Sequence, residues 1–273
     1  MVPIKTDSKS GIVYRQWQAS SPKAVLLLVH GLGGHSARWN FLAEYFLQQN
    51  ISSYGIDLRG FGETEELRGH IDSFKIYYND IRSLSRIIRE ENSDKKVFIL
   101  GESMGGLIAF LMSITDADKF SGCICFVPAF GSAMKFGLSI YVSLFFSLLY
   151  NHRKQLTVPF TAQMCTQDVE YQKVMESDTL REHRLATSGL LINIVIEQVR
   201  AMNLKKKLKL PVLFQLAGQD TMVPTNTSRK VFQSLTAEDK QIIEYPDMRH
   251  ALSIELDRQK VFQDVLNWLK PRI

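Results

Sequence analysis

Only three cysteines occur in 273 residues. An odd number cannot all pair within the chain. Cys123 and Cys125, one residue apart in an apolar run, would face the same side of one strand, a poor geometry for a bridge. Buried thiols, and with them a reducing, cytoplasmic compartment, are the expectation. Long apolar runs are equally scarce: the longest, 136–150, is too short to span a bilayer and is interrupted by Ser139, Ser143 and Ser147. Residues 1–18 are mixed and polar, without the basic and then apolar pattern of a secretory signal. Neither sign of charge dominates, since 33 Lys and Arg stand against 28 Asp and Glu. The small excess gathers in Lys205-Lys206-Lys207-Leu208-Lys209, with a lesser group at Arg153-Lys154. Such a run reads first as a solvated loop, with transient attraction to an anionic membrane surface as the alternative. No recognition motif or aromatic-basic interleaving accompanies it, which argues against nucleic acid. No histidine-carboxylate pair shows metal-ligand spacing and Cys123-x-Cys125 lacks partners, so neither a metal nor another cofactor is expected.

What the chain does contain is an alternation. Continuous apolar runs at 24–29, 97–100, 123–127 and 212–216, with a weaker one at 51–57, have the character of strands covered on both faces. Helix-length stretches fall between and after them, at 39–49, 74–91, 106–115, 225–235 and 251–269, and the opening residues suggest a hairpin, with Ile12-Val13-Tyr14 leaving a turn at Ser8-Lys9-Ser10-Gly11. Strand and helix in alternation imply an α/β fold with a mostly parallel central sheet and helices on both faces. The pattern breaks between Ala129 and about Leu204, which reads as several helices without a strong strand. The expected organisation is therefore a core of 1–128 and 205–273 interrupted by a helical cap, 129–204, lying over the carboxyl ends of the strands where open α/β sheets bind ligands. Within the cap, the serines at 139, 143 and 147 form one narrow stripe of an otherwise apolar helix. Phe136, Ile140, Leu144, Phe145 and Leu148 on that helix are candidate contacts for an apolar substrate, with plain burial and contact of the cap with a membrane interface as the competing readings.

Gly101-Glu102-Ser103-Met104-Gly105 joins the run at 97–100 to the helix-compatible residues that follow. Strand, tight turn and helix together make this G-x-S-x-G a nucleophile elbow rather than a Gly/Ser loop capping a helix. A serine needs a base, and the base needs a carboxylate to hold its tautomer. In this architecture the acid and then the histidine follow the serine along the chain. His152 and His183 fall in the insertion, whereas His250 precedes the final helix and is the expected base. Asp220, just past the strand at 212–216, is the expected acid, with Asp247 as the alternative. The amide of Met104, at a helix N-terminus, and that of Leu32, in the glycine-rich turn His30-Gly31-Leu32-Gly33-Gly34, are candidates for an oxyanion hole. That turn lacks the later glycine of a dinucleotide fingerprint and the lysine of a P-loop, which leaves a nucleotide reading weak.

Together, His30-Gly31-Leu32-Gly33-Gly34-His35-Ser36-Ala37-Arg38-Trp39, Asp57-Leu58-Arg59-Gly60-Phe61-Gly62, Gly101 to Gly106, Gly218-Gln219-Asp220-Thr221-Met222-Val223-Pro224 and His250 resemble the α/β-hydrolases of the monoacylglycerol lipase and lysophospholipase group. The resemblance covers nearly the whole chain. It implies the α/β-hydrolase fold, a serine esterase acting on single-chain lipid esters, a triad of Ser103, Asp220 and His250, the Leu32 and Met104 amides as oxyanion donors, and an acyl-binding cap. Glu102 and Phe61 depart from it, standing where relatives often carry histidine. Glu102 is expected to pack beside the elbow and accept backbone hydrogen bonds, or, more sharply, to help hold His250 or another cation by its charge. A general carboxylesterase or thioesterase, or a ligand receptor that kept the fold, are the competing functional readings.

Overall fold

The computed structural model describes residues 2–133, 151–181 and 185–273. Its centre is an eight-stranded sheet built from β1 (Ile4–Thr6), β2 (Val13–Trp17), β3 (Ala24–Val29), β4 (Ile51–Asp57), β5 (Lys96–Glu102), β6 (Gly122–Phe126), β9 (Val212–Ala217) and β10 (Lys240–Tyr245). The spatial order is β1-β2-β4-β3-β5-β6-β9-β10. The first two pairings are antiparallel and all the others parallel. The expected amino-terminal hairpin is thus present, turning through Gly11 at a φ of 69°.

Continuous apolar strands make sense once both faces are seen to be covered. Along β3, Val25, Leu27 and Val29 enter one hydrophobic cluster with Tyr77, Phe110 and Phe214, while Ala24, Leu26 and Leu28 enter a second with Trp39, Phe98 and Trp268. The period-two alternation of a strand divides its side chains between these two cores. The covering helices are α1 (Asn40–Gln48), α2 (Phe74–Glu91), α3 (Met104–Thr115), α7 (Thr225–Gln233) and α8 (Arg258–Leu269). From β3 the chain moves outward to β4 and then crosses back to β5 on the other side of β3. The carboxyl ends of β3 and β5 therefore flank the switch point where an open α/β sheet leaves a crevice for a ligand.

Between β6 and β9 no described residue joins the main sheet. The segment contains α4 (Ala162–Cys165), α5 (Val169–Ser177), α6 (Ser188–Leu204) and a small antiparallel ribbon of β7 (Gln155–Thr157) and β8 (Leu185–Thr187). The ribbon is a feature that the sequence reading missed. Its strands are three residues long without an apolar run, and one is fixed by a distant partner, since Thr187 N–H donates to the Gly69 carbonyl at 2.8 Å. The Lys205–Lys207 run forms one helical turn between α6 and β9, with Lys206 and Lys207 exposed.

One boundary is also corrected. The helix expected over 251–269 begins at Arg258, after a separate short turn at Leu252–Ile254. Buried Glu255 explains the break. Its carboxylate accepts from the amides of Arg249 at 2.8 Å and Gln167 at 3.1 Å, and Ser253 N–H donates to Glu102 at 3.0 Å. Amides that would begin a helix are instead directed at carboxylates, and the chain at Glu255 is extended.

Candidate active site

Ser103 stands between β5 and α3 with φ 58° and ψ −119°. A non-glycine residue in this region is strained and persists only where its surroundings fix it. Here the surroundings are backbone. Ser103 N–H donates to the Phe126 carbonyl at 2.9 Å, and its own carbonyl accepts from Leu107 and Ala129 N–H, each at 3.0 Å. Two glycines allow the turn: a Cβ on Gly101 would lie 2.1 Å from the Gly105 carbonyl oxygen, and one on Gly105 would lie 2.1 Å from that of Val29.

On the adjacent strands, Asp220 lies three residues past the end of β9 and His250 five past the end of β10. His250 Nδ1 is 2.7 Å from Asp220 Oδ2, and the other carboxylate oxygen accepts from the amides of Met222 at 2.8 Å and Val223 at 2.9 Å. With this carboxylate so held, the imidazole donates from Nδ1 and leaves Nε2 as the basic nitrogen. Both side chains are almost wholly buried. Burial alone would lower the affinity of His250 for a proton. The charge and hydrogen bond of Asp220, with a further contribution from the charge of Glu102, outweigh it and set the pKa above the ordinary 6.5.

Glu102 is buried beneath the elbow. Its two oxygens accept from Ser253 N–H at 3.0 Å and from the Ser253 hydroxyl at 2.8 Å. Burial raises its pKa above 4.5, against the opposing effects of those hydrogen bonds and of His250. The backbone bond agrees with the simpler expectation for this residue.

The turn after β3 comes close on the other side. A Cβ on Gly31 would stand 3.0 Å from Ser103 Cβ and 3.7 Å from its hydroxyl oxygen. His30 fixes this turn, a role that the sequence reading did not assign. Its Nε2 accepts from Leu58 N–H at 3.0 Å, so Nδ1 carries the hydrogen and donates to the Gly31 carbonyl at 2.8 Å. Complete burial, partly offset by Asp57, lowers its pKa to about 4 and keeps it neutral. Phe61, the second departure from the family pattern, lies edge-on to this ring with centroids 5.7 Å apart.

Leu32, Ser103, Met104 and His250 line one cavity of about 350 Å³, with Asp220 behind His250. Phe160, Leu191, Ile194 and Val195 form part of its wall, so the insertion encloses the space beside the serine. Arg38 and Glu102 are among its few charged neighbours. The candidate contacts Phe136, Ile140, Leu144, Phe145 and Leu148 lie outside the described residues. Asp247, the alternative acid, is not in the contact that His250 makes; its carbonyl accepts from Gln167 Nε2. The insertion is joined to the core through His35 Nε2 and Asp178 Oδ2 at 2.8 Å and through Tyr78 O–H donating to Glu197 at 2.5 Å.

A strained serine and the histidine of a buried His-Asp pair, lining one cavity at the sheet's switch point, make up the constellation of a hydrolase. The protein-family comparison agrees, for residues 20–257 match the family described as serine aminopeptidase, S33. The chain belongs to this family of α/β-hydrolases. It is 24% identical to a monoacylglycerol lipase of Mycolicibacterium smegmatis over 260 residues, covering 94% of this chain and 92% of that one. It is also 24% identical to phospholipase YtpA of Bacillus subtilis, over 90% and 95% of the two chains. Among solved structures, a monoacylglycerol lipase of Paleococcus ferrophilus superimposes with a TM-score of 0.86 at 23% identity, covering 96% of this chain and 99% of that one, a likeness of fold.

Proposed function

We propose that this ester-hydrolysing enzyme cleaves monoacylglycerols and related lysolipids through an acyl-enzyme on Ser103. The observation that carries the reading is one largely apolar cavity lined both by a serine held at positive φ and by the histidine of the buried His250–Asp220 pair. The names of the two curated relatives, one a monoacylglycerol lipase and one a phospholipase, support the substrate class.

In this mechanism His250 Nε2 takes the hydroxyl proton as Ser103 Oγ attacks the ester carbonyl. The negative charge that develops on the carbonyl oxygen is received by the amides of Leu32 and Met104, the latter on the first residue of α3, where the helix dipole favours an anion. Collapse of the tetrahedral intermediate expels the alcohol, which leaves with the proton from His250. Water then repeats the sequence on the acyl-enzyme and frees the fatty acid. Residues 129–204 serve as the cap, whose apolar wall receives the single acyl chain. Among the described residues no helix is long and apolar enough to cross a membrane. Substrate held in a bilayer is reached by transient contact of the cap and the basic residues with the surface, by a protein of the cytoplasm.

The base acts only when neutral, so kcat/KM falls as pH drops through the His250 pKa, which lies above 6.5. Glu102 is one of the charges that raise it. Glu102→Gln therefore moves the acid limb of the kcat/KM profile to lower pH, and a profile superimposable on the wild type removes this role.

A substrate panel tests the assignment: monoacylglycerols of increasing acyl length, lysophospholipids, acyl thioesters, short acetyl esters and aminoacyl amides. Single-chain esters of medium and long acyl groups are expected to give the highest kcat/KM. Acetyl esters, thioesters or aminoacyl amides turned over faster by a wide margin would contradict the lipid substrate while leaving the hydrolase intact.

A further inference from the structure

Three side chains with metal-ligating atoms meet outside the catalytic cavity. His70 and Asp72 lie on the loop leading into α2, and His152 precedes β7. Asp72 Oδ1 is 3.0 Å from His70 Nε2 and 3.4 Å from His152 Nε2, and the three ligand atoms all fall within 4.8 Å of one another. Four ligands on a tetrahedral zinc ion, with bonds of about 2.0–2.1 Å, stand roughly 3.3 Å apart. Two of the three edges thus already have nearly that length. The third closes by rotation of His152, whose side chain is 56% exposed.

The surroundings are built for a fixed ring. His70 is buried, and its Nδ1 lies 3.0 Å from Thr187 Oγ1, which also accepts from Leu190 N–H at the start of α6. A histidine ligand is ordinarily oriented by such a partner on its far nitrogen. The His152 carbonyl accepts from Gly189 N–H at 2.9 Å and from the Ser188 hydroxyl at 3.1 Å, which anchors that loop to the same helix end. A Cβ on Gly189 would come within 3.0 Å of that carbonyl oxygen.

We propose that His70, Asp72 and His152 bind one first-row divalent cation of the zinc type, with water in the fourth position. The ion ties the loop at 151–153, at the base of the insertion, to the core loop at 70–72. Coordination through His70 Nε2 requires its hydrogen to reside on Nδ1, where it is donated to Thr187 Oγ1; the neutral ring changes tautomer and no oxidation is involved. None of the three residues lines the cavity that holds Ser103, so the site acts on stability rather than on the chemical step. The sequence reading found no ligand spacing because His70-x-Asp72 acquires its third member only from a residue 80 positions further on.

Metal-stripped full-length protein titrated with zinc chloride by calorimetry is expected to show one dominant site. Thermal unfolding in excess zinc, about a hundredfold above the dissociation constant, should raise Tm by roughly 5–10 °C. Cobalt in place of zinc should give the intense visible bands of four-coordinate geometry. His152→Ala and Asp72→Asn change side chains that are more than half exposed and leave the fold intact. Each should weaken zinc binding by about tenfold or more and abolish the cobalt bands. Absence of zinc binding, or equal affinity in the wild type and both variants, overturns the proposal.

Discussion

Replacing Ser103 by alanine leaves a folded protein whose ester turnover falls by roughly 10⁴–10⁶-fold, the range seen when a nucleophile that works jointly with its base is removed. A millionfold corresponds to about 8 kcal/mol of barrier. The loss is this large because, in the proposed mechanism, Ser103 supplies the hydroxyl that His250 and Asp220 activate, and without it only binding and the two oxyanion amides would be left to act. Folding is spared because the positive φ is imposed by backbone bonds to Phe126, Leu107 and Ala129, which alanine retains. Steady-state kinetics on a monoacylglycerol, with circular dichroism and thermal unfolding as controls, separate the two effects. Activity within about tenfold of the wild type would remove Ser103 from the mechanism.

Gly105→Ala is expected to lose most of its activity and a large part of its stability. An added methyl would sit 2.1 Å from the Val29 carbonyl oxygen and 2.6 Å from that of His30, distances at which a backbone must move. Neither neighbour is free to yield. Val29 is in the central strand, paired in register with both Ile56 and Gly101, and His30 is buried and bonded to Leu58 and Gly31. Overpacking against rigid main chain costs about 3 kcal/mol or more. The shift needed to relieve it would separate the turn at Gly31 from Ser103, and a displacement of about 1 Å in a catalytic group costs on the order of a hundredfold in rate. Gly131→Ala provides the control, because a methyl there meets its nearest atom at 3.6 Å. Denaturant titration should show a lowered midpoint for Gly105→Ala and an unchanged one for Gly131→Ala.

How much of this was legible in the sequence follows from where each signal is stored. Strands buried on both faces write themselves as unbroken apolar runs, so β3, β5, β6 and β9 stand out from their residues alone. Long amphipathic helices do likewise, and the stretch read at 74–91 is α2 (Phe74–Glu91) to the residue. The elbow is local: two glycines around a serine between a strand and a helix specify it within five residues. The positions of Asp220 and His250 follow from chain order and from their places after strands. What escaped notice depends on distant partners. The helix starts only after Glu255 because carboxylate acceptors, not a proline or glycine, take up the amides of Arg249 and Ser253 before it. The ribbon of β7 and β8 depends on Gly69, whose own Cβ would strike the Leu185 carbonyl at 1.9 Å. The clamp of Ser253 on Glu102 spans 151 residues. His30 left one faint trace, a histidine directly before a glycine-rich turn, but its bond to Leu58 required the fold.

The central claim is that Ser103 is the one serine made nucleophilic by the His250–Asp220 pair. Incubation of the native protein with a fluorophosphonate, followed by intact-mass measurement and peptide mapping, tests it most directly. The account predicts a single adduct on the peptide containing Ser103, formed rapidly in the wild type and at least about a thousandfold more slowly in His250→Ala. An unlabelled protein, an adduct on another residue, or labelling of Ser103 that does not depend on His250 would contradict it.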